Sequence, residues 1–279
     1  MRYRPLEAAD VPWAVELLRS EGWSFDAGEL RRLLALGGGR VAESAGAPLG
    51  LLTHTVHGDA AWIGNVVVAP EARGRGLGEA LVADAVRALE AAGVATVGLY
   101  SVPKAVALYA RLGFDRLRDV ASWSREDAAA PAFPAGIAPL SDVREALALD
   151  RAAFGADRGR MLAALRADHP GTTFAARGRD GRLEGYAILK RSPSGGEVGP
   201  LVVSGEGGEG VASRLLDACL ARAEGPVETG FDLAHPYARK LLEARGFGPG
   251  FTATYMIRGR GLAPPAPDGV VLFGAMEKG

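Results

Sequence analysis

Cysteine is nearly absent: Cys219 is the sole one in 279 residues. An intrachain disulfide is therefore excluded, and the usage fits a reducing cytoplasm. Lysine is scarce as well, with Lys104, Lys190, Lys240 and Lys278 the full set, while Arg, Ala and Gly abound. That bias reads as the codon usage of a GC-rich genome, so the many Ala and Gly say little about the fold. No window holds the roughly 18 apolar residues that a membrane span needs. The N-terminus, MRYRPLEAAD, lacks the apolar core of a signal peptide. No basic block occurs and the formal net charge is -1, which argues against nucleic acid as a partner. What remains, 48% hydrophobic and 23% charged, is the composition of a soluble globular protein long enough for two domains.

The chain repeats itself. GNVVVAPEARGRGLGEALVADAV in the first half lies over GPLVVSGEGGEGVASRLLDACL in the second, and LYARLGF (108–114) lies over LLEARGF (241–247). The offset drifts only from 135 at the strand to 134 at the helix and 133 at the Gly-Phe pair, the mark of a duplicated domain with small loop deletions. Between the copies, DAAAPAFPAGIAP is rich in Ala and Pro with no apolar period, and reads as a linker. The expected organisation is a domain over 1–127, a linker over 128–139 and a second domain over 140–279. Each half opens with a short strand and a helix begun by Asp10 or by Ser141-Asp142, both good N-cap residues. The order is then strand, helix, helix, strands, helix, strand, helix, strand, a mixed α/β layer architecture.

One stretch carries chemistry. Val66–Val68 run into Pro70, then into Arg73, Gly74, Arg75, Gly76, Leu77 and Gly78, then into an amphipathic helix. Leu77, Leu81, Ala85, Ala88 and Leu89 follow the 3.6-residue period, so that helix starts close to Gly76. Its first amides lack intrahelical acceptors and its dipole is positive there. The glycines leave room for an anion and the arginines add charge, which makes a pyrophosphate cradle.

The pattern Arg73-x-x-Gly76-x-Gly78 after VVV, with LYARLGF about thirty residues on, resembles the GNAT superfamily of acyl-CoA-dependent N-acyltransferases. The second half resembles it as a decayed copy, and the whole looks like a bacterial tandem subfamily. The resemblance implies two GNAT folds, each a mostly antiparallel sheet with one splayed parallel strand pair, flanked by helices. It implies acetyl-CoA as cosubstrate, held by Val66, Val67 and Val68 on the strand and by Arg73–Gly78 and Glu79 on the loop and first helical turn. No metal is implied. An amine of a small molecule or peptide would attack the thioester directly.

By the same resemblance, Tyr109 matches the usual acid for the departing thiolate; its helix face (Ala105, Leu108, Leu112) predicts a half-buried ring. A core aromatic is the alternative. The general base is open. Relatives carry a carboxylate near Gly64 and Asn65, and neither of these accepts a proton, though Asn65 could orient a water or the acceptor. His54 and His57, three apart on a strand, point to opposite faces, so at most one reaches the cleft. Trp23 and Phe25 fall where the family walls its acceptor site, or else they pack. Cys219 reads as inert core.

The second half has lost this chemistry. Gly207 stands at the Arg position, Glu206 and Glu209 flank the anion site, and Leu242 replaces Tyr109. Its expected role is structural: a wall of the acceptor site or a homodimer surface. Asp157 and Arg158 form either a ligand site or a helix-flanking ion pair. Strand VVLFGAM (270–276) could complete either half's sheet.

Overall fold

The computed structural model describes residues 1–23, 25–126, 129–192, 195–205, 207–260 and 268–276. The first repeat runs β1 (Arg2–Pro5), α1 (Val11–Ser20), α2 (Ala27–Leu36), β2 (Gly37–Ser44), β3 (Ala47–His57), β4 (Ala60–Val68), α3 (Leu77–Ala91), β5 (Thr96–Ser101), α4 (Val106–Arg111), β6 (Asp115–Arg125). The second runs β7 (Ile137–Pro139), α5 (Leu147–Phe154), α6 (Gly159–Asp168), β8 (Thr173–Arg177), β9 (Leu183–Ser192), β10 (Gly195–Val203), α7 (Gly208–Leu220), β11 (Val227–Asp232), α8 (Ala238–Glu243), β12 (Gly248–Gly259). The two lists match element for element. A last strand, β13 (Val270–Leu272), has no counterpart in the first among the described residues. Among the described residues, no helix is long and apolar enough to cross a membrane.

The compact units are drawn differently from the repeats. One unit takes Met1–Leu117 and borrows residues 255–260; the other takes Arg118–Thr254 and 268–276. The two homologous strands β6 and β12 are thus divided between units. In the first unit the strand order is β1-β2-β3-β4-β5, with the end of β12 beside β5. Tyr255 anchors that borrowed segment, stacking on Trp62 at 6.2 Å and meeting Tyr100 at 5.3 Å. Trp62 lies so flat over Gly98 that a Cβ there would come within 2.8 Å of the indole. Arg258 adds an ion pair to Glu90 at 3.0 Å and a bond to the Leu112 carbonyl at 2.7 Å.

Alternation along the strands sends side chains to two faces. Leu51 and Val67 join Leu18, Leu30 and Leu33 of α1 and α2 in one apolar core. Leu52, Ile63 and Leu99 join Leu81, Ala85 and Leu89 of α3 in another. In the second unit β11 lies between β6, to which it is antiparallel, and β10, to which it is parallel. Its core packs Leu189, Val198 and Leu201 against Leu215, Leu216 and Cys219 of α7 and Leu242 of α8. Cys219 is fully buried, and burial pushes its thiol well up, as expected of an inert core residue.

Candidate active site

The parallel pair β4/β5 is where the first unit opens. Pairing covers Ala60–Ile63 against Thr96–Leu99 and then stops, although β4 runs on to Val68. The cause is local. Asn65 sits at φ +54°, in the left-handed region that Asn tolerates better than most residues. Across β3, Leu51 faces Val67 and Thr53 faces Gly64, so two residues of β4, Asn65 and Val66, lie opposite one of β3, Leu52: a bulge. The bulge is pinned by the Asn65 amide, which donates to Thr53 Oγ1 at 2.9 Å, with both residues buried. Beyond it Val66 and Val68 turn, half-buried, to the core that holds Tyr109, while Val67 turns to the opposite core. A splayed strand pair is thus built from one Asn and one Thr.

The loop after β4 ends in Gly76, the N-cap of α3 at φ +73°, with Gly74 at φ +74°. Both positions require the left-handed conformation, and a Cβ on either would meet nothing within 4 Å. The approach to the helix N-terminus is therefore open. Arg73 is braced, with Nε donating to the Val68 carbonyl at 2.8 Å and Nη2 donating to the Glu21 carboxylate. It fixes the loop to the end of β4 as well as supplying charge. Arg75 is exposed. Glu79, in the first turn of α3, pairs with Arg111 at 2.6 Å, and that neighbour holds its carboxyl below the usual range. Its negative charge is thereby offset beside the open amides.

Tyr109 is more buried than its helix pattern predicts, at 8% exposed, because Phe114 closes edge-on at 6.0 Å. Burial pushes its hydroxyl up to about 12, so it keeps its proton throughout the working pH range. His54 and His57 do lie on opposite faces. His57 is buried beside Trp62 and within 3.2 Å of Thr55 Oγ1. His54 lies over Gly38, its Nδ1 buried without a hydrogen-bond partner. Burial, helped by Arg40, lowers it to about 4, where it is neutral at pH 7 and a weak base. The aromatics between α1 and α2 separate: Phe25 is core, 9% exposed, and Trp23 is 41% exposed. The missed signal was Gly64-Asn65 inside a strand of β-branched residues, a turn-forming pair that marks a bulge.

The second unit differs at each of these points. Helix α7 begins at Gly208, capped by Gly207 at φ +83°. Its first turn holds Glu209, and a Cβ on Gly208 would stand 3.1 Å from Tyr237 Oη. Glu206 lies outside the described residues. Arg158 is not paired with its neighbour Asp157: fully buried, it pairs with Asp150 at 2.5 Å, and the Tyr186 hydroxyl donates to the same carboxylate. Asp157 instead accepts from the Gly159 amide at 2.9 Å, at the start of α6. The pair is an internal brace between α5 and the turn into α6. Strand β13 pairs with β10, its own unit's strand.

Comparison with known proteins gives the family and the fold. The model of the acetyltransferase (GNAT) family matches residues 6–114, and that of the acetyltransferase (GNAT) domain matches 146–269. The chain belongs to the GNAT acetyltransferase family, in two copies. GNAT acetyltransferases use acyl-CoA. Among relatives, this tandem GNAT protein is 34% identical to a mycothiol acetyltransferase of Clavibacter sepedonicus over 194 residues, 62% of this chain. That match spans 63% of the relative's length. Among solved structures, a candidate acetyltransferase of Pyrococcus horikoshii superposes with a TM-score of 0.83 at 20% identity, covering 100% of this chain and 95% of that one. A tandem GNAT protein from the clavulanic acid biosynthesis pathway gives 0.66 at 20% identity, covering 93% and 98%. Both show the shared fold.

Proposed function

We propose that the first unit is an N-acetyltransferase that binds acetyl-CoA between β4 and β5 and passes the acetyl group to a primary amine of a small molecule or peptide. The observation that carries this reading is the joint placement of an open wedge and an open helix N-terminus at the two ends of Val66–Arg73. Among the described residues no strand pairs with that edge of β4 past Ile63, which leaves it to the amide-bearing arm of the cosubstrate. The amides from Arg73 to Gly78 hold its diphosphate, with Arg75 adding charge and Glu79 neutralised by Arg111. The amine lone pair forms the C–N bond, the C–S bond breaks, and the thiolate takes a proton from Tyr109, which regains one through water from the new ammonium. No side chain found here is a strong base, so an acceptor amine of low pKa or a water relay fits this site. Trp23 is the exposed aromatic available to the acceptor. The likeness to a mycothiol acetyltransferase makes a mycothiol-type amine the first acceptor to test. The repeat boundaries 1–127, 128–139 and 140–279, and a cytoplasmic location, belong to the same proposal.

A second reading, a non-catalytic acyl-CoA binder, draws on the absence of a carboxylate at Gly64 and Asn65. Thiol release from acetyl-CoA separates the two. A panel of amines that accelerates release supports the transferase; tight binding with no acceleration by any amine supports the binder.

A further inference from the structure

The two repeats part company at their parallel strand pairs. In the first unit, among the described residues, no strand lies in the gap where β4 leaves β5. In the second, β10 pairs with β11 only at Gly196–Val227 and Glu197–Glu228, and the gap beyond is filled. β13 enters it antiparallel to β10, with Leu272 opposite Leu201 and Val270 opposite Val202. The Val203 amide donates to the Gly269 carbonyl at 2.9 Å on that side. On the other side the Phe273 amide donates to the Gly230 carbonyl of β11, also at 2.9 Å. The Ala275 amide donates to the Glu197 carboxylate, which Lys190 also contacts. The fit is close: a Cβ on Gly230 would stand 2.2 Å from the Phe273 ring, and one on Gly199 would stand 2.3 Å from the Gly274 nitrogen. Val271 and Leu272 are each 1% exposed, inside the core.

We propose that residues 269–275 are a built-in occupant of the second wedge, lying along β10 where an acyl-CoA arm would lie, and that they close the second unit to acyl-CoA. A peptide strand and an amide-bearing acyl arm compete for the same edge, since each offers N–H and C=O groups to the backbone of β10. The peptide has the advantage of being tethered, so it binds at high effective concentration. Its apolar side chains also cover core that a thin arm would leave wet. The comparison with an open first wedge rests on the acetyl-CoA site proposed above.

Two measurements on the full chain test this. The first is hydrogen exchange without ligand. Peptides covering 269–275 should exchange as slowly as the core strands, and fast exchange there overturns the proposal whatever the first unit does. The second is a disulfide-locked chain, Val202→Cys with Val270→Cys, made at an opposed pair of β10 and β13. Oxidised and reduced forms should bind acetyl-CoA at one per chain with affinities within twofold of each other. Loss of binding on oxidation, restored by reduction, would show that acetyl-CoA needs the second wedge and would overturn the proposal. So would a ratio of two in the reduced form falling to one when oxidised. Slow exchange at 269–275 together with no acetyl-CoA binding in any form would leave the plug standing and would refute the first-unit site instead.

Discussion

The bulge at Asn65 is the feature on which the first wedge depends, and it can be dismantled in steps. Its two supports are the tolerance of Asn for φ +54° and the 2.9 Å bond from its amide to Thr53 Oγ1. Asn65→Gly removes the bond but suits the backbone angle, and the Thr53 hydroxyl still has the Gly64 carbonyl at 3.4 Å. We expect that variant to lose about 1 kcal/mol or less of stability. Thr53→Val keeps the shape of β3 but leaves a buried amide unsatisfied, which costs about 1–3 kcal/mol. Asn65→Val loses the bond and also forces a β-branched residue into the left-handed region, for a total of about 2–4 kcal/mol. Urea unfolding of the three variants should therefore rank them Gly, then Thr53→Val, then Val. Acetyl-CoA affinity by calorimetry should follow the same order, because a β4 that straightens would pair with β5 and close the wedge. Equal stability and affinity for Asn65→Gly and Asn65→Val would refute the argument, since it would mean that the backbone angle at residue 65 does not matter.

Arg73→Glu puts a carboxylate beside the proposed diphosphate site and sets it against Glu21; acetyl-CoA affinity should fall roughly ten- to hundredfold, about 1–3 kcal/mol, and unchanged calorimetry would sink the cradle. Tyr109→Phe should lower kcat by about 10- to 1000-fold and leave acetyl-CoA affinity nearly unchanged if, as proposed, the hydroxyl acts only as the C–S bond breaks; equal rates would leave Tyr109 a packing residue. His54 gives a pH test. Its folded value is lowered from 6.5 to about 4, so its neutral form is the one that folding favours. The stability it contributes is complete above pH 6.5 and is lost as pH falls towards 4, by about 3 kcal/mol in all. His54→Asn should flatten that limb of the stability profile, and an unchanged slope between pH 6.5 and 4 would show that His54 is not the group titrating.

Local pattern accounts for what could be read before the fold was known. The helix after Gly76, the paired element order of the halves and the core position of Cys219 all follow from periodicity, glycine placement and repetition, which act within a few residues. What escaped depends on partners far apart in sequence. DRLRDVASWSR and GPGFTATYMIRG are strands of the same class, so neither their propensity nor their pattern tells which sheet each joins. Arg158 stands beside Asp157, yet the turn between α5 and α6 returns it to Asp150, eight positions back. The plug was invisible for a similar reason. A run such as VVLF announces a buried strand without naming the edge it will meet.

The division of β6 and β12 between the units sets the order in which the protein can be made. The first unit's last strand, with Tyr255 and Arg258, is encoded roughly 140 residues after Leu117, the end of its main segment. At a translation rate of about 5–20 residues per second, that strand emerges some 7–30 s later. Until then β5 lacks its β12 neighbour, and Trp62 lacks the ring that stacks on it. An open edge beside an uncovered indole is a natural target for chaperones and for like chains on the same message. Maturation of the first unit is thus tied to synthesis of residues 255–260, so chains truncated anywhere before Tyr255 should yield aggregates or degradation products rather than a smaller folded unit.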